Sequence, residues 1–208
     1  AQSKGGDAVG PFSFNCIRFL LGAIVLLPVI ALLDKLKLTK GKPKTKQDRK
    51  NLIIGGISCG TFLALASNLQ QLGITSGTSA GKAGFLTACY IILVPIIGLL
   101  FKKKCYWNIW LGVIITVVGL YLLCVNESLK FQISDILVLL CSVVFAMHIL
   151  TIDRFSPLVD GVRMSCIQFF TCAIISAIPM LIFELSPSNI AEWAAPLATL
   201  DAWTPILY

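Results

Sequence analysis

SAGKAGFLTACYIILVPIIGLLF, residues 79–101, carries a single lysine and no other charge in 23 positions. A bilayer core about 30 Å thick asks for about 17 to 25 predominantly apolar residues in a helix, and this stretch meets that length. Outward from it, five more runs do the same: 16–33, 52–73, 107–125, 133–152 and 162–183, while 203–208 reads as the opening of another. A soluble domain has no means of hiding so many all-round apolar helices from water. The composition agrees, at 57% hydrophobic and 13% charged, with a mean hydropathy of +0.87, far from a globular average. The runs lack the alternation of barrel strands and are about twice the roughly 9 to 11 residues such strands need. Helices, which satisfy every backbone polar group internally, remain. The sequence therefore predicts an all-α integral membrane protein: a polytopic helical bundle with six visible transmembrane helices plus the start of a seventh. The first run reads as a span and not as a cleavable signal, because no small-residue cleavage site follows it.

Charge sets the expected orientation. Eight of the 17 basic residues, Lys35, Lys37, Lys40, Lys42, Lys44, Lys46, Arg49 and Lys50, fall between the first two runs. Lys102, Lys103 and Lys104 follow the third run, and Arg154 and Arg163 flank the linker after the fifth. With simple alternation these linkers share one side, whereas the 184–201 stretch opposite holds Glu184, Glu192 and Asp201 and no Lys or Arg. Basic short loops mark the cytoplasmic face, so loop 34–50 is expected in the cytoplasm and loop 184–201 outside the inner membrane. The net charge of +7 is thus a topology signal. No aromatic residue interleaves the lysines to stack bases, so nucleic acid is not an expected partner; anionic lipid headgroups are. Trp107, Trp110, Trp193 and Trp203 sit at run ends, where an amphipathic ring anchors a helix in the interface.

The chain echoes itself at a shift of 150 residues: Cys16-Ile17-Arg18-Phe19 matches Cys166-Ile167-Gln168-Phe169, Ala23-Ile24 matches Ala173-Ile174, and Pro28 recurs one position late as Pro179. Five spans separate the equivalent positions, so the two copies must cross the bilayer in opposite directions. Inverted repeats of this kind are a transporter architecture with the substrate site near the midplane. The shift lays 203–208 on the start of the 52–73 run and calls for a helix before residue 1. The expectation is one helix before the chain, two after its last visible one, and ten in all.

The residues also carry a family resemblance. Leu69-Gln70-Gln71-Leu72-Gly73-Ile74, then Thr78-Ser79-Ala80-Gly81-Lys82-Ala83-Gly84-Phe85-Leu86-Thr87-Ala88, then Ile92-Leu93-Val94-Pro95, closely resemble the EamA-type branch of the drug/metabolite transporter superfamily. So do the 112–121 helix and the opening 14–27 helix with its internal Arg18. The resemblance implies ten helices in two inverted five-helix repeats. Residues 1–125 would be most of the first repeat, lacking its first helix, and 126–208 the truncated start of the second. It further implies a secondary transporter moving small metabolites, often amino acids or drugs, outward across the cytoplasmic membrane. The alternative is a non-transporting membrane scaffold whose spans only bind partners.

Several side chains invite a role. Thr61, Ala64, Asn68 and Gln71 recur at helical spacing, and polar groups in lipid seek a neighbouring helix or a wet cavity; Asn68 and Gln71 are thus cavity candidates or interhelical glue. Gly56 and Gly60 form a GxxxG pair that permits close helix approach. In the 79–101 run, Thr87 and Tyr90 share a face, and Pro95 removes a backbone hydrogen bond and implies a mid-helix kink, a natural gate. Lys82 lies a few residues inside that run and either snorkels to the outer headgroups or, by the resemblance, is a cavity cation for carboxylated substrates. Arg18, similarly placed, snorkels, makes a structural hydrogen bond, or touches substrate. His148, the sole histidine, is a packing residue or a proton carrier. No Asp or Glu falls at mid-depth of a run, Asp135 being at an edge, so the usual carboxylate relay is not expected. The eight cysteines form no metal-type CxxC pair and read as small packing residues. No Walker, HExxH or GxSxG motif supports catalysis or a resident cofactor or metal.

Overall fold

The computed structural model describes residues 10–39, 41–102, 106–124 and 132–185, with Trp193 and Ala195. Among these, every regular element is helical: α1 Pro11–Lys35, α2 Lys46–Thr75, α3 Ala80–Thr87, α4 Tyr90–Leu100, α5 Trp107–Cys124, α6 Ile133–Phe155 and α7 Gly161–Pro179, which runs on into a π-helical turn, Met180–Glu184.

Local chemistry fixes the helix starts. Pro11 opens α1, where its missing N–H has no helical partner to lose. Thr45 and Asp48 exchange hydrogen bonds of 3.0 Å in a capping box. α2 therefore begins inside the basic linker, and Lys46, Arg49 and Lys50, expected in a loop, form its first turns. The Asp135 carboxylate accepts from the Gln132 N–H at 2.7 Å at the head of α6, and Asp160 accepts from the Arg163 N–H at 2.9 Å at the head of α7. Gly77, with φ of 116°, makes the turn from α2 to α3 in a conformation that only glycine adopts freely.

α2 is the central rod. It packs along α6 and α7, α1 lies along α7, and α3 and α4 cover α6. The close approach has a visible cause in α2. A Cβ on Gly60 would stand 2.6 Å from the Gln168 carbonyl oxygen, and one on Gly56 would stand 2.5 Å from Ile167 Cγ2. The GxxxG pair thus seats α2 against α7.

The burial pattern is that of a protein dissolved in lipid. Ser13, Asn15, Gln71, Thr78, Lys82, Thr87, Asp135, Ser142, His148, Gln168 and Ser176 are buried, whereas Ile24, Val25, Leu27, Ile57, Leu65, Leu99, Ile115, Ile174 and Phe183 face outward. Polar side chains point into the bundle because hydrocarbon offers them no partner.

The described helices bear on three expectations. Among the described residues, five helical stretches are long and apolar enough to cross a membrane, Pro11–Lys35, Lys46–Thr75, Ala80–Leu100, Ile133–Phe155 and Gly161–Glu184, and α5 falls on the sixth expected run, 107–125. The expected seventh start at 203–208 lies outside the described residues. Secondly, the Ala80–Leu100 stretch breaks at Ala88 and Cys89, while Pro95 stays within α4. The Ile91 and Ile92 N–H groups bond three residues back, to Ala88 and Cys89. The stretch is thus broken by a tight 3₁₀ turn, while Pro95, past it in α4, removes the helical donor of the Ile91 carbonyl. Thirdly, Asp135, expected at the edge of its run, is the third residue of α6 and is buried.

Candidate functional site

The sequence candidates separate into three groups. At the head of α3, Lys82 Nζ and Asp135 Oδ2 of α6 form an ion pair at 2.5 Å. Lys82 is 7% exposed and Asp135 0%. The Thr78 hydroxyl lies 2.9 Å from both Asp135 Oδ1 and Ser134 Oγ, and Gln132 N–H supplies a further donor. This overturns the snorkelling reading of Lys82. A lysine with a buried carboxylate in reach pairs with it, since a solitary buried charge is far more costly than a pair. It also changes the cavity reading, because the positive charge is already answered.

The second group ties three helices. Asn68 of α2 accepts from Asn15 Nδ2 of α1 at 2.9 Å and donates to Ser176 Oγ of α7 at 3.1 Å. Nearby, Gln70 Nε2 donates to Thr87 Oγ1 across α2 and α3 at 2.8 Å. Gln71, also on α2, is 1% exposed, and its carbonyl accepts from the Thr75 hydroxyl at 3.0 Å.

The third group lies along the seam of α4, α6 and α7. The Tyr90 ring stands 6.1 Å from Phe145, which stands 6.4 Å from the His148 ring. His148 Nε2 is 3.3 Å from Gln168 Oε1 of α7. Thirteen residues of α6 separate Asp135 from His148, about 20 Å at about 1.5 Å per residue, so Lys82 and His148 belong to different depths of the bundle. Arg18 is half-buried, with its guanidinium 5.9 Å from the Phe14 ring centroid on its own helix.

Sequence reasoning missed Asn15, Ser134, Asp135, Gln168 and Ser176. Each is the second half of a pair whose first half was legible, and only the fold brings the halves together. A signal existed for one of them: a lysine inside one span calls for a carboxylate, and Asp135 is the one acidic residue inside any of the six runs.

Outside the bundle seam, a cavity of about 130 Å³ lies between the α1–α2 linker and the head of α7, lined by Lys42, Lys44, Asp48, Leu52, Asp160 and Arg163 among others.

Five membrane-length helices with apolar exteriors and an inward polar seam define a multi-pass helical membrane protein. Residues 1–125 match the EamA-like transporter family, and the chain belongs to that family. It is 32% identical, over 185 residues, to a protein of Archaeoglobus fulgidus named "Uncharacterized transporter". The match covers 88% of this chain and 53% of that relative, so the chain spans about half the relative's length. No solved structure matches it.

Proposed function

We propose that the protein acts as a secondary membrane transporter, exporting a small polar or amphipathic metabolite, such as an amino acid or drug-like solute, across the cytoplasmic membrane by alternating access. The observation that carries this reading is the polar seam: Thr87, Tyr90, His148 and Gln168 face into the bundle between α3–α4, α6 and α7, each within reach of a neighbouring helix. A bundle that needed only to be stable would fill such positions with apolar residues at lower cost. Membership of a transporter family supports the same conclusion.

The reading includes a ten-helix assembly of two inverted five-helix repeats, with loop 34–50 cytoplasmic and loop 184–201 outside. α1 and α7 support it. Moved by 150 residues, Pro11–Lys35 falls on 161–185, and α7 with its π turn occupies Gly161–Glu184. The two pack antiparallel, Ser13 beside Glu184 and Asp34 beside Arg163, with Phe19 and Phe169, 150 residues apart, in ring contact at 5.7 Å. Gly56 and Gly60 face α7, so this GxxxG pair serves packing within the bundle.

Reconstituted vesicles loaded with a panel of amino acids and other small metabolites test the activity by counterflow and under imposed ion gradients. Saturable exchange of at least one solute is expected, weakened by His148→Ala and Tyr90→Ala. No movement of any panel member would overturn the reading.

A further inference from the structure

The two ends of the α1–α7 contact are closed by a carboxylate at each. At one end, Arg163 Nη2 donates to Asp34 Oδ2 at 2.5 Å, and Thr39 Oγ1 donates to Asp34 Oδ1 at 2.8 Å. At the other, the Glu184 carboxylate accepts from the Phe12 N–H at 2.8 Å, the Ser13 N–H at 2.7 Å and the Ser13 hydroxyl at 2.5 Å. Asp34 is in the last turn of α1 and Arg163 is the third residue of α7; Glu184 ends the π turn that prolongs α7, and Ser13 is the third residue of α1. The shift of 150 residues carries Asp34 onto Glu184 and Ser13 onto Arg163. Each helix therefore grips the head of the other with an acid from its own tail.

The grips are built differently. The first opposes two formal charges. In the second, the carboxylate accepts from backbone N–H groups at the positive end of α1. Its fit depends on Gly10, whose φ is 94° and where a Cβ would stand 2.6 Å from Glu184 Cδ. Trp193 Nε1 adds a hydrogen bond of 2.8 Å to the Ser13 hydroxyl. Twenty-one residues of α1 separate Ser13 from Asp34, about 32 Å at about 1.5 Å per residue, close to the roughly 30 Å of a bilayer core. The two grips thus lie at opposite membrane faces.

We propose that Asp34–Arg163 and Glu184–Ser13 are paired latches, one per membrane face, and that parting of α1 from α7 on a given face requires that face's latch to open while the other holds. This rests on the alternating-access reading and supplies residues for its two gates.

The chain carries its own reporters. Cys16 lies three residues beyond Ser13, and Cys166 three beyond Arg163; both are buried. Membrane vesicles of both orientations are treated with a membrane-impermeant maleimide, and modification of each cysteine is read by peptide mass spectrometry. Glu184→Gln is expected to raise labelling of Cys16 about fivefold, the shift that losing one charge-assisted hydrogen bond supports, with Cys166 unchanged or lower. Asp34→Asn is expected to do the reverse. Should Glu184→Gln protein fail to accumulate, Ser13→Ala removes one of the three donors and is expected to raise Cys16 labelling to a smaller extent. Arg163→Lys, which keeps the charge, is expected to protect Cys166 better than Arg163→Met. Equal exposure of both cysteines by either substitution, or of neither, overturns the proposal. The labelling is read without solute, so it stands or falls separately from the vesicle assay of transport.

Discussion

Replacing Lys82 by Met tests whether the buried ion pair is held together by mutual need. At 2.5 Å and an effective dielectric of about 20, two unit charges attract by about 6 to 7 kcal/mol. Removing each ion from water costs several kcal/mol, so the intact pair is near balance. Lys82→Met removes the attraction and leaves the Asp135 carboxylate, 0% exposed, with the Thr78 hydroxyl and the Gln132 N–H as its remaining donors. The loss should be about 3 kcal/mol, the lower end of the range for a broken buried pair, because the site is in the first turn of α6 and not at its centre. That corresponds to a fall of about 6 to 12 °C in unfolding midpoint for a chain of this size. The double variant Lys82→Met/Asp135→Leu removes both charges and should recover most of the loss. Thermal unfolding in detergent, followed by tryptophan fluorescence on both single variants and the double, measures the cycle. Single variants within a degree or two of the parent, or a double variant as unstable as the two losses added, would refute the reasoning.

At Gly60 an alanine Cβ meets the Gln168 carbonyl oxygen at 2.6 Å, so Gly60→Ala should force α2 from α7 and cost about 1 to 3 kcal/mol, whereas Gly112→Ala, with open space around it, should cost nothing; the same melting assay compares them. Asn68→Ala strands the buried Asn15 and Ser176 and should cost about 1 kcal/mol, the modest scale of hydrogen bonds between membrane helices; a transport loss much larger than this stability change would place Asn68 on the solute path. Pro95→Ala restores a donor to the Ile91 carbonyl and should slow amide exchange within α4, measured by hydrogen–deuterium exchange mass spectrometry, as the helical ladder is completed.

The spans were legible because lipid imposes a length and a polarity that leave a strong mark on sequence. The runs at 16–33, 52–73, 133–152 and 162–183 lie within helical stretches of the bundle, and 79–101 covers α3 and α4 with the break between them. Helix ends were less legible, since the capping box at Thr45 draws α2 into a linker that charge alone marks as loop. The break at Ala88 and Cys89 was not legible, since neither residue is a helix breaker and Pro95 lies past it within α4. Asp135 was read from its position at a run's edge, and edge position says nothing about what folds over it. Pairing is a property of helix packing: Lys82 and Asp135 are 53 residues apart, and Glu184 and Ser13 are 171 apart. No local pattern encodes such contacts.

The α2–α7 seam is not uniform along its length, and the difference bears on how the bundle opens. Towards the head of α7, Gly56 and Gly60 bring α2 close to the Met164 and Gln168 carbonyls and the Thr171 side chain, a close fit that a small displacement would forfeit. Towards its tail the same helices meet through Asn68 and Ser176, a neutral hydrogen bond of the kind that contributes about 0.6 kcal/mol between membrane helices and exchanges readily for another partner. The tail end of the seam is therefore the easier to part, yet it is the end beside which the charged contacts of Glu184 with the α1 N-terminus and of Lys82 with Asp135 are placed. In the proposed cycle these contacts hold that end shut, as Asp34 with Arg163 holds the other. A solute that offered its own charge or hydrogen-bond donors to that end would compete with those contacts directly.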